Sequence, residues 1–334
     1  MLEAWCGGSP QSCSRARYIE RGGEQSSPQP TLSQQSLLYS FIFEGSLSHL
    51  QTLCDRTLNA VAKGKIHYKP VLPFVMVTFG DNPMLRSQAP GKQNAGYVPE
   101  REVMVWVLTA AGYQLGPLFW VDHVAWYTPY VFVDSSYAMV GGREIYGFPK
   151  EWGWVELATD PQQLDRLSVE AAVFPTFGPN VGATCQPVIT LERQSKEKLL
   201  PTLWRTQQDC FSAVIQALLG DDPEIPILGP GFALRALSDL LTKSVPFVFL
   251  KQFRSVHRAD VPCYQAIVEA STQLVKFRGG NLINADFKVE IQNFESHPLV
   301  TELGLSSQSP RVELAFWTQF DFTLGTGKTI VRTA

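Results

Sequence analysis

The alternation of apolar and polar positions predicts a chain built mainly from β-strands. Leu37–Phe43 and Val71–Phe79 are apolar runs of strand length. Residues 101–134 are strand-like throughout, and both faces of the run that begins at Val103 are apolar, as in a strand that is buried on both sides. Further strand patterns lie at Lys150–Leu157, Leu167–Phe174, Phe247–Phe253, Tyr264–Ala270, Asp286–Ile291 and Val312–Phe322.

Helical spacing is confined to a few places. Ser46 is placed to cap a helix that starts at Leu47, and short helices are also predicted at Tyr137–Arg143 and His297–Leu303. Leucines recur at helical spacing over about 194–243, around a centre rich in proline and glycine. This stretch is predicted to be a helical insertion into a sheet protein.

Many antiparallel strands with few helices predict an α+β fold, in which a largely antiparallel, barrel-like or cone-like sheet curls around a central pocket. Residues 1–35 are rich in Ser, Gln, Gly and Pro, and such a segment cannot bury much apolar surface. We therefore expect residues 1–35 to be a flexible leader whose removal leaves the melting temperature nearly unchanged. Residues 36–334 are predicted to form one domain that carries the insertion.

Composition and charge exclude several classes of function. The 334 residues are 45% hydrophobic, which allows a substantial core, and a net charge of −3 gives no basic face for nucleic acid. No apolar run approaches the roughly 20 residues that cross a bilayer. The five histidines lack metal-ligand spacing, so no metal or cofactor is predicted. Six scattered cysteines and the absence of a secretory pattern lead us to expect a cytoplasmic protein with reduced thiols.

Lys150 is the candidate on which a catalytic interpretation depends. Phe148 and Trp152 lie two positions before and after it, on the same face if the segment is a strand, and Pro149 restricts the approach of the chain. An amine held among apolar groups is poorly hydrated, and the neutral amine attacks carbonyls to form a Schiff base. The simpler alternative is a lysine at a strand edge with its amine in water.

The segment around Lys150 resembles the core signature of the acetoacetate decarboxylase family. The signature has an aliphatic residue and an aspartate, an alanine, a Gly-Arg-Glu step and an aromatic-Pro-Lys step, matched here by Phe132-Val133-Asp134, Ala138, Gly142-Arg143-Glu144 and Phe148-Pro149-Lys150. Weaker similarity extends over residues 37–334 outside the insertion. The resemblance implies that Lys150 is the Schiff-base lysine of a decarboxylase-like lyase acting on a β-keto acid, in a homo-oligomer.

The chain departs from the family pattern at three places that the resemblance makes informative. Glu151 stands where decarboxylases of the family carry a second lysine, although it should lie on the opposite strand face from Lys150. A family arginine on the first strand falls at Glu44, and a glutamate on the second strand falls near Val75. Glu100 and Glu102 lie near the position of another pocket glutamate of the family, and each is a candidate acid or base or, alternatively, a solvated carboxylate at a strand end.

We therefore expect Lys150 to face an apolar cavity lined by Phe148, Trp152, Trp106 or Tyr130, with a pKa below that of a free lysine because burial penalises the ammonium. The expected partner is a small carbonyl or keto-acid substrate rather than nucleic acid or a membrane. Decarboxylation competes with aldol-type chemistry and dehydration, since all three use the same imine. The alternative is a non-catalytic binding protein that keeps the family cavity.

Overall fold

The computed structural model describes residues 18–19, 26–195, 203–219 and 245–334. Fourteen strands lie in this part of the chain: β1 Thr31–Glu44, β2 His67–Pro70, β3 Phe74–Ser87, β4 Val98–Leu115, β5 Leu118–Val133, β6 Lys150–Glu156, β7 Arg166–Val173, β8 Thr184–Arg193, β9 Phe247–Arg254, β10 Pro262–Ala270, β11 Thr272–Leu282, β12 Phe287–Ile291, β13 Val312–Leu324 and β14 Lys328–Arg332. The α-helices in the same residues are α1 Leu47–Cys54, α2 Ala60–Ala62, α3 Ser136–Gly141, α4 Gln207–Leu219 and α5 Leu299–Leu303.

The strands form one large sheet in the order β11-β13-β1-β3-β4-β5-β6-β7-β8-β12. Off this path, β2 pairs with β4, β9 pairs with β5 and β10, and β14 pairs with β10. The pairs are antiparallel except for β5 with β6 and β5 with β9, which are parallel. The predicted α+β fold with a largely antiparallel sheet is confirmed, and the sheet curls without closing into a barrel.

The central strand β4 separates the hydrophobic core from a cavity. Val103, Val105 and Val107 are fully buried in the main core, which also holds the apolar residues of α1 and α5. The alternate residues Met104, Trp106 and Leu108 line the cavity on the opposite face. Both faces are apolar because each is covered, as the sequence pattern predicts.

The start of the first strand differs from the sequence prediction. β1 begins at Thr31, inside the segment predicted to be a leader, and Thr31 and Ser33 are buried. This part of the strand is polar on its inner side, so its apolar pattern is weak although its backbone pairs with both β3 and β13. Within the predicted leader, residues 1–17 and 20–25 lie outside the described residues.

The predicted insertion is described only in part. Helix α4 lies within it and is helical as predicted, whereas residues 196–202 and 220–244 lie outside the described residues.

Four of the described strands were not predicted. Their sequences alternate too little between apolar and polar residues to be recognised, and pairing with distant strands defines them instead: β2, β8, β11 and β14. None of the described helices combines the length and the apolar character that crossing a membrane requires.

Candidate active site

A cavity of about 750 Å³ lies on the face of the sheet opposite the main core. Strands β1, β3, β4, β11 and β13 and helix α4 all contribute to its wall. Aromatic side chains form much of this wall: Phe74, Trp106, Trp126, Phe148, Phe211, Phe247, Phe277, Phe316, Phe320 and Phe322. The predicted central pocket is therefore present, and Lys150 is among its lining residues.

The turn before β6 is shaped to hold Lys150. Gly142 follows helix α3, and a Cβ atom placed on it would lie 2.6 Å from Cδ of Lys150, so only glycine leaves room for the lysine stem. Arg143 donates a hydrogen bond from Nη1 to the carbonyl oxygen of Lys150, at 2.9 Å. Gly147 has a φ of 97°, and a Cβ atom placed on it would lie 2.5 Å from Cα of Lys251, which again requires glycine.

Lys150 meets two carboxylates at the bottom of the cavity. Its side chain forms a salt bridge with Glu100, and its Nζ lies 3.8 Å from Oε2 of Glu102. The three residues are 6%, 3% and 7% exposed, respectively. Glu100 and Glu102 come together because they are two positions apart on β4 and so share the cavity face.

The two glutamates reverse the predicted direction of the Lys150 pKa. Burial by itself lowers the pKa of Lys150, but the negative charges of Glu100 and Glu102 and the hydrogen bond to Glu100 raise it, and the net shift is upward. The prediction of a lowered pKa is therefore wrong. The amine is protonated before a substrate binds, so it can act as a nucleophile only after a neighbouring group takes its proton.

Glu102 is placed to hold a proton near neutral pH. Burial raises the pKa of Glu102 to about 8, with the charge of Glu100 acting in the same direction, while Lys150 and a hydrogen bond from Asn82 act against them. Asn82 donates from Nδ2 to Oε1 of Glu102 at 2.9 Å and accepts from the hydroxyl of Ser33 at 3.2 Å. The site thus pairs one ion-paired carboxylate with one carboxylic acid.

Two of the four predicted wall residues lie in the cavity. The ring of Phe148 is centred 5.2 Å from Nζ of Lys150, and Trp106 lines the cavity with its indole nitrogen bonded to Thr78 at 2.7 Å. Trp152 is 46% exposed and packs against Trp154, because β6 leaves the cavity wall after Lys150. Tyr130 donates its hydroxyl to Glu302 on α5 and does not line the cavity.

The three positions at which this chain departs from the family pattern, Glu151, Glu44 and Val75, lie away from the amine of Lys150. Glu151 points to the other side of β6, as predicted, and its Oε2 lies 2.9 Å from Nε2 of His297. Glu44 is exposed at the end of β1, and Val75 is fully buried in the main core. Neither lines the cavity, so neither determines its charge.

Sequence reasoning did not identify Asn82, Ser33, Gly80 or the cavity residues of α4 as parts of the site. Asn82 belongs to a Gly-Asp-Asn-Pro run that is typical of a turn, yet β3 continues through it. A Cβ atom on Gly80 would lie 2.8 Å from Leu38 and 3.3 Å from Glu102. Among the described residues, no three His, Cys, Asp or Glu side chains are arranged to hold a metal ion.

Comparison with solved structures identifies the architecture. The acetoacetate decarboxylase of Legionella pneumophila is similar with a TM-score of 0.57 at 15% identity, over 96% of this chain and 93% of that one. An acetoacetate decarboxylase-like enzyme from Sphingomonas wittichii RW1 gives 0.56 at 12% identity, over 95% and 99%. This chain has the acetoacetate decarboxylase-like fold. The resemblance of residues 132–150 predicted that fold, and the prediction is confirmed.

A third similar structure is that of a biosynthetic enzyme with a bound organic molecule. The enduracididine biosynthesis enzyme MppR, solved with the condensation product of pyruvate and imidazole 4-carboxaldehyde, gives a TM-score of 0.53 at 12% identity, over 93% of this chain and 92% of that one. No model of a known protein family matches the sequence, and no curated protein matches it either. At these identities the likeness extends to the fold alone.

Proposed function

We propose that this protein is a Schiff-base-forming lyase that acts on a carbonyl compound through Lys150. The observation that supports this most is a buried amine that opens on a large cavity, is ion-paired with Glu100 and lies close to Glu102, whose pKa burial raises to about 8. Such a trio supplies a nucleophile, a base and an acid within a few ångströms of one another. The similar folds of acetoacetate decarboxylase and of MppR agree with an enzymatic function.

Glu100 is the base of the proposed reaction. Its carboxylate is ion-paired with Nζ of Lys150, so it is the group placed to take the proton that the amine must lose before it attacks. The neutral amine then attacks the carbonyl carbon, and the N–C bond forms as the carbonyl π electrons move to oxygen. Glu102 protonates that oxygen to a hydroxyl and then takes the second proton from the amine nitrogen. The proton held by Glu100 passes to the hydroxyl, which leaves as water as the nitrogen lone pair forms the C=N bond.

The resulting imine is protonated and lies between Glu100 and Glu102, which stabilise its positive charge. A protonated imine accepts an electron pair from the neighbouring carbon, so a bond at that carbon can break with loss of carbon dioxide, an aldehyde or a proton. Decarboxylation of a keto acid, retro-aldol cleavage and dehydration are therefore alternatives for the same intermediate. MppR, which has a similar fold, binds a condensation product of pyruvate and an aldehyde, and this agrees with carbon–carbon chemistry as one of the alternatives.

Reduction with borohydride tests the proposal. We expect a methyl ketone to be trapped on the wild-type protein as a secondary amine, with the modified peptide mapping to Lys150. Lys150→Arg keeps a positive charge but its guanidinium is never deprotonated, so no adduct should form. A protein that stays unmodified while circular dichroism shows it folded would contradict the proposal.

Lys251 provides the matched control. Burial lowers the pKa of Lys251, and its Nζ donates to the carbonyl of Ile145 at 3.0 Å, outside the cavity lining. If a low pKa alone decided reactivity, Lys251 would be trapped first. We expect Lys251→Arg to be trapped as the wild type is, because the cavity delivers the ketone to Lys150.

One observation favours a second function, that of a binding protein without catalysis. The pair with Glu100 holds Lys150 in its charged form, in which it is no nucleophile. In that case a ketone would bind in the cavity with a measurable affinity and borohydride would trap nothing. The same experiment therefore separates the two functions.

A further inference from the structure

The described wall of the cavity offers no unpaired positive charge to a substrate carboxylate. Among its described lining residues, the only acidic or basic side chains are Lys150, Glu100 and Glu102. The one cation is already paired with Glu100 and lies 3.8 Å from Glu102. A carboxylate placed beside the imine carbon would approach two acidic side chains and find no arginine, histidine or second lysine in the described wall. The negative charge of Glu100 disfavours a second carboxylate beside it in a buried site, and the only cation of the described wall is already paired with Glu100.

The cavity is also long and apolar beyond its reactive end. Along β4 the wall runs from Glu102 through Met104 and Trp106 to Leu108. Six residues of strand at about 3.3 Å each give a distance of about 20 Å. The volume of about 750 Å³ lies within the range of pockets that hold drug-sized ligands, far more than a four-carbon keto acid fills.

Helix α4 closes the far end of this space. Ile215 packs against the hydrophobic cluster that contains Leu108, and the helix turns an apolar stripe toward the cavity. The members of that stripe are Cys210, Phe211, Val214, Ile215 and Leu218. The stripe gives a hydrophobic chain a continuous surface from Trp106 to the helix.

We propose that the substrate is an uncharged ketone or aldehyde with a long aliphatic or aromatic tail, whose carbonyl reaches Lys150 while its tail lies under α4. This inference rests on the proposed Schiff-base function of Lys150. With such a substrate, the bond that breaks joins the carbon next to the imine either to a hydrogen atom or to an uncharged group. Loss of carbon dioxide from a short keto acid is then not the reaction of this site.

The affinities of a series of 2-alkanones test whether the cavity binds the hydrophobic tail of the substrate. Titration calorimetry of the wild-type protein with 2-pentanone, 2-heptanone and 2-nonanone should show the dissociation constant falling about three- to fourfold for each added methylene. The matched pair of 2-nonanone and 2-oxononanoate tests the charge, and we expect the ketone to bind at least about tenfold more tightly. A dissociation constant independent of chain length, or tighter binding of the keto acid, would overturn the proposal.

Substitutions in α4 test whether the tail of the ketone lies against this helix. Ile215→Trp fills the far end of the cavity, so the gain between 2-heptanone and 2-nonanone should be lost while 2-pentanone binds as before. Ala217→Trp places the same indole on the exposed side of the helix and should keep the wild-type series. If Ile215→Trp keeps the full chain-length dependence, the tail does not lie under α4 and the proposal fails.

Lys150→Met separates this inference from the proposed function. The variant cannot form an imine, yet its apolar wall is intact, so it should still bind 2-nonanone more tightly than 2-pentanone. A wild-type protein that shows the chain-length series without borohydride trapping would refute the Schiff-base function and keep the cavity specificity. Trapping of pyruvate in preference to 2-nonanone would support the Schiff-base function and refute the proposed cavity specificity.

Discussion

At the scale of single residues, the chemistry of the site depends on how one strand spaces its carboxylates. Glu100 and Glu102 face the same side of β4 because a strand alternates its side chains, and that side is the one Lys150 reaches from β6. Two like charges so close together do not ionise together easily in a buried site. One glutamate therefore pairs with the lysine and the other keeps a proton near pH 7.

Replacing Glu102 by glutamine should change the pH dependence of stability. The folded-state pKa of Glu102 is raised to about 8 from an ordinary value of 4.5, so its protonated form stabilises the fold fully below the unfolded pKa, and that stabilisation is lost as the pH rises through 8. Glutamine carries no such charge and can still accept the hydrogen bond of Asn82. We expect Glu102→Gln to gain roughly 2–4 kcal/mol in unfolding free energy at pH 9 relative to the wild type.

The measurement is urea unfolding at pH 5 and pH 9. The difference between variant and wild type should grow with pH, whereas Glu192→Gln, at an exposed carboxylate, should show no such growth. A constant difference across this range would mean that Glu102 is ionised throughout.

Gly142→Ala should impair the chemistry while sparing the fold. Gly142 has a helical φ of −62°, so alanine suits its backbone, but the new Cβ would lie 2.6 Å from the Lys150 side chain. Displacement of the amine by a fraction of an ångström to 1 Å should slow borohydride trapping on the order of tenfold to a hundredfold. Gly182→Ala, where a Cβ meets nothing within 4 Å, is the control and should react at the wild-type rate. Equal rates in both variants would show that the stem of Lys150 can move aside freely.

At the scale of elements, an irregular first strand supports the acid of the site. The register of β1 against β13 shifts between Ser33 and Ser36, where Gln35 has a φ of 60° and donates its N–H to Asp321 at 2.7 Å. The shift is a β-bulge, a feature that re-aims side chains. Ser33 is thereby held against Asn82, which in turn holds Glu102.

Two truncations test the part of the chain before Leu37. Removal of residues 1–35 deletes the first five residues of β1 with their pairing to β3 and β13, and we expect the melting temperature to fall by several degrees. Removal of residues 1–17 should leave it nearly unchanged, since that segment has the polar composition expected of a leader. Differential scanning calorimetry measures both, and equal melting temperatures would show that the bulged start of β1 contributes nothing.

At the scale of the whole molecule, one sheet forms a wall of both the hydrophobic core and the cavity. Its inner face holds the main core around Val105, and its other face holds the cavity around Trp106. A strand shared in this way lets the core fix the positions of the site residues, because the cavity side chains from Glu102 to Leu108 each have a fully buried neighbour along β4. The rigid part of the site is therefore the β4 wall.

The family resemblance also leads us to propose that the protein assembles as a homo-oligomer. Apolar side chains are exposed at the β4–β5 hairpin, where Leu115, Leu118 and Trp120 are each more than half exposed. Exposed apolar residues grouped in this way are typical of interaction surfaces. Sedimentation velocity should give a mass that is a multiple of one chain, and a single monomer peak across a hundredfold range of concentration would contradict this.

Most strands and the lysine that lines the cavity could be predicted from local sequence. Alternation along Leu37–Phe43 and 101–134 reports burial directly, so these strands form where expected. The motif that ends at Lys150 predicted the fold through its resemblance to the acetoacetate decarboxylase family. Two of its residues act locally, since Gly142 leaves room for the Lys150 stem and Arg143 binds the Lys150 carbonyl. Weakly patterned strands such as β8 and β11 were missed, since only their partners in the sheet define them.

The sequence by itself determined that a lysine would face an apolar cavity in a curled sheet, because periodicity and a compact motif are local properties. Only the tertiary structure decided which charges surround that lysine. Glu100 lies 50 residues before Lys150, and their contact follows from the path of β4 past the start of β6. Electrostatic energy depends on distances in space and on burial, so the direction of the Lys150 pKa, the proton on Glu102 and the exclusion of Glu44 and Trp152 from the site all required the fold.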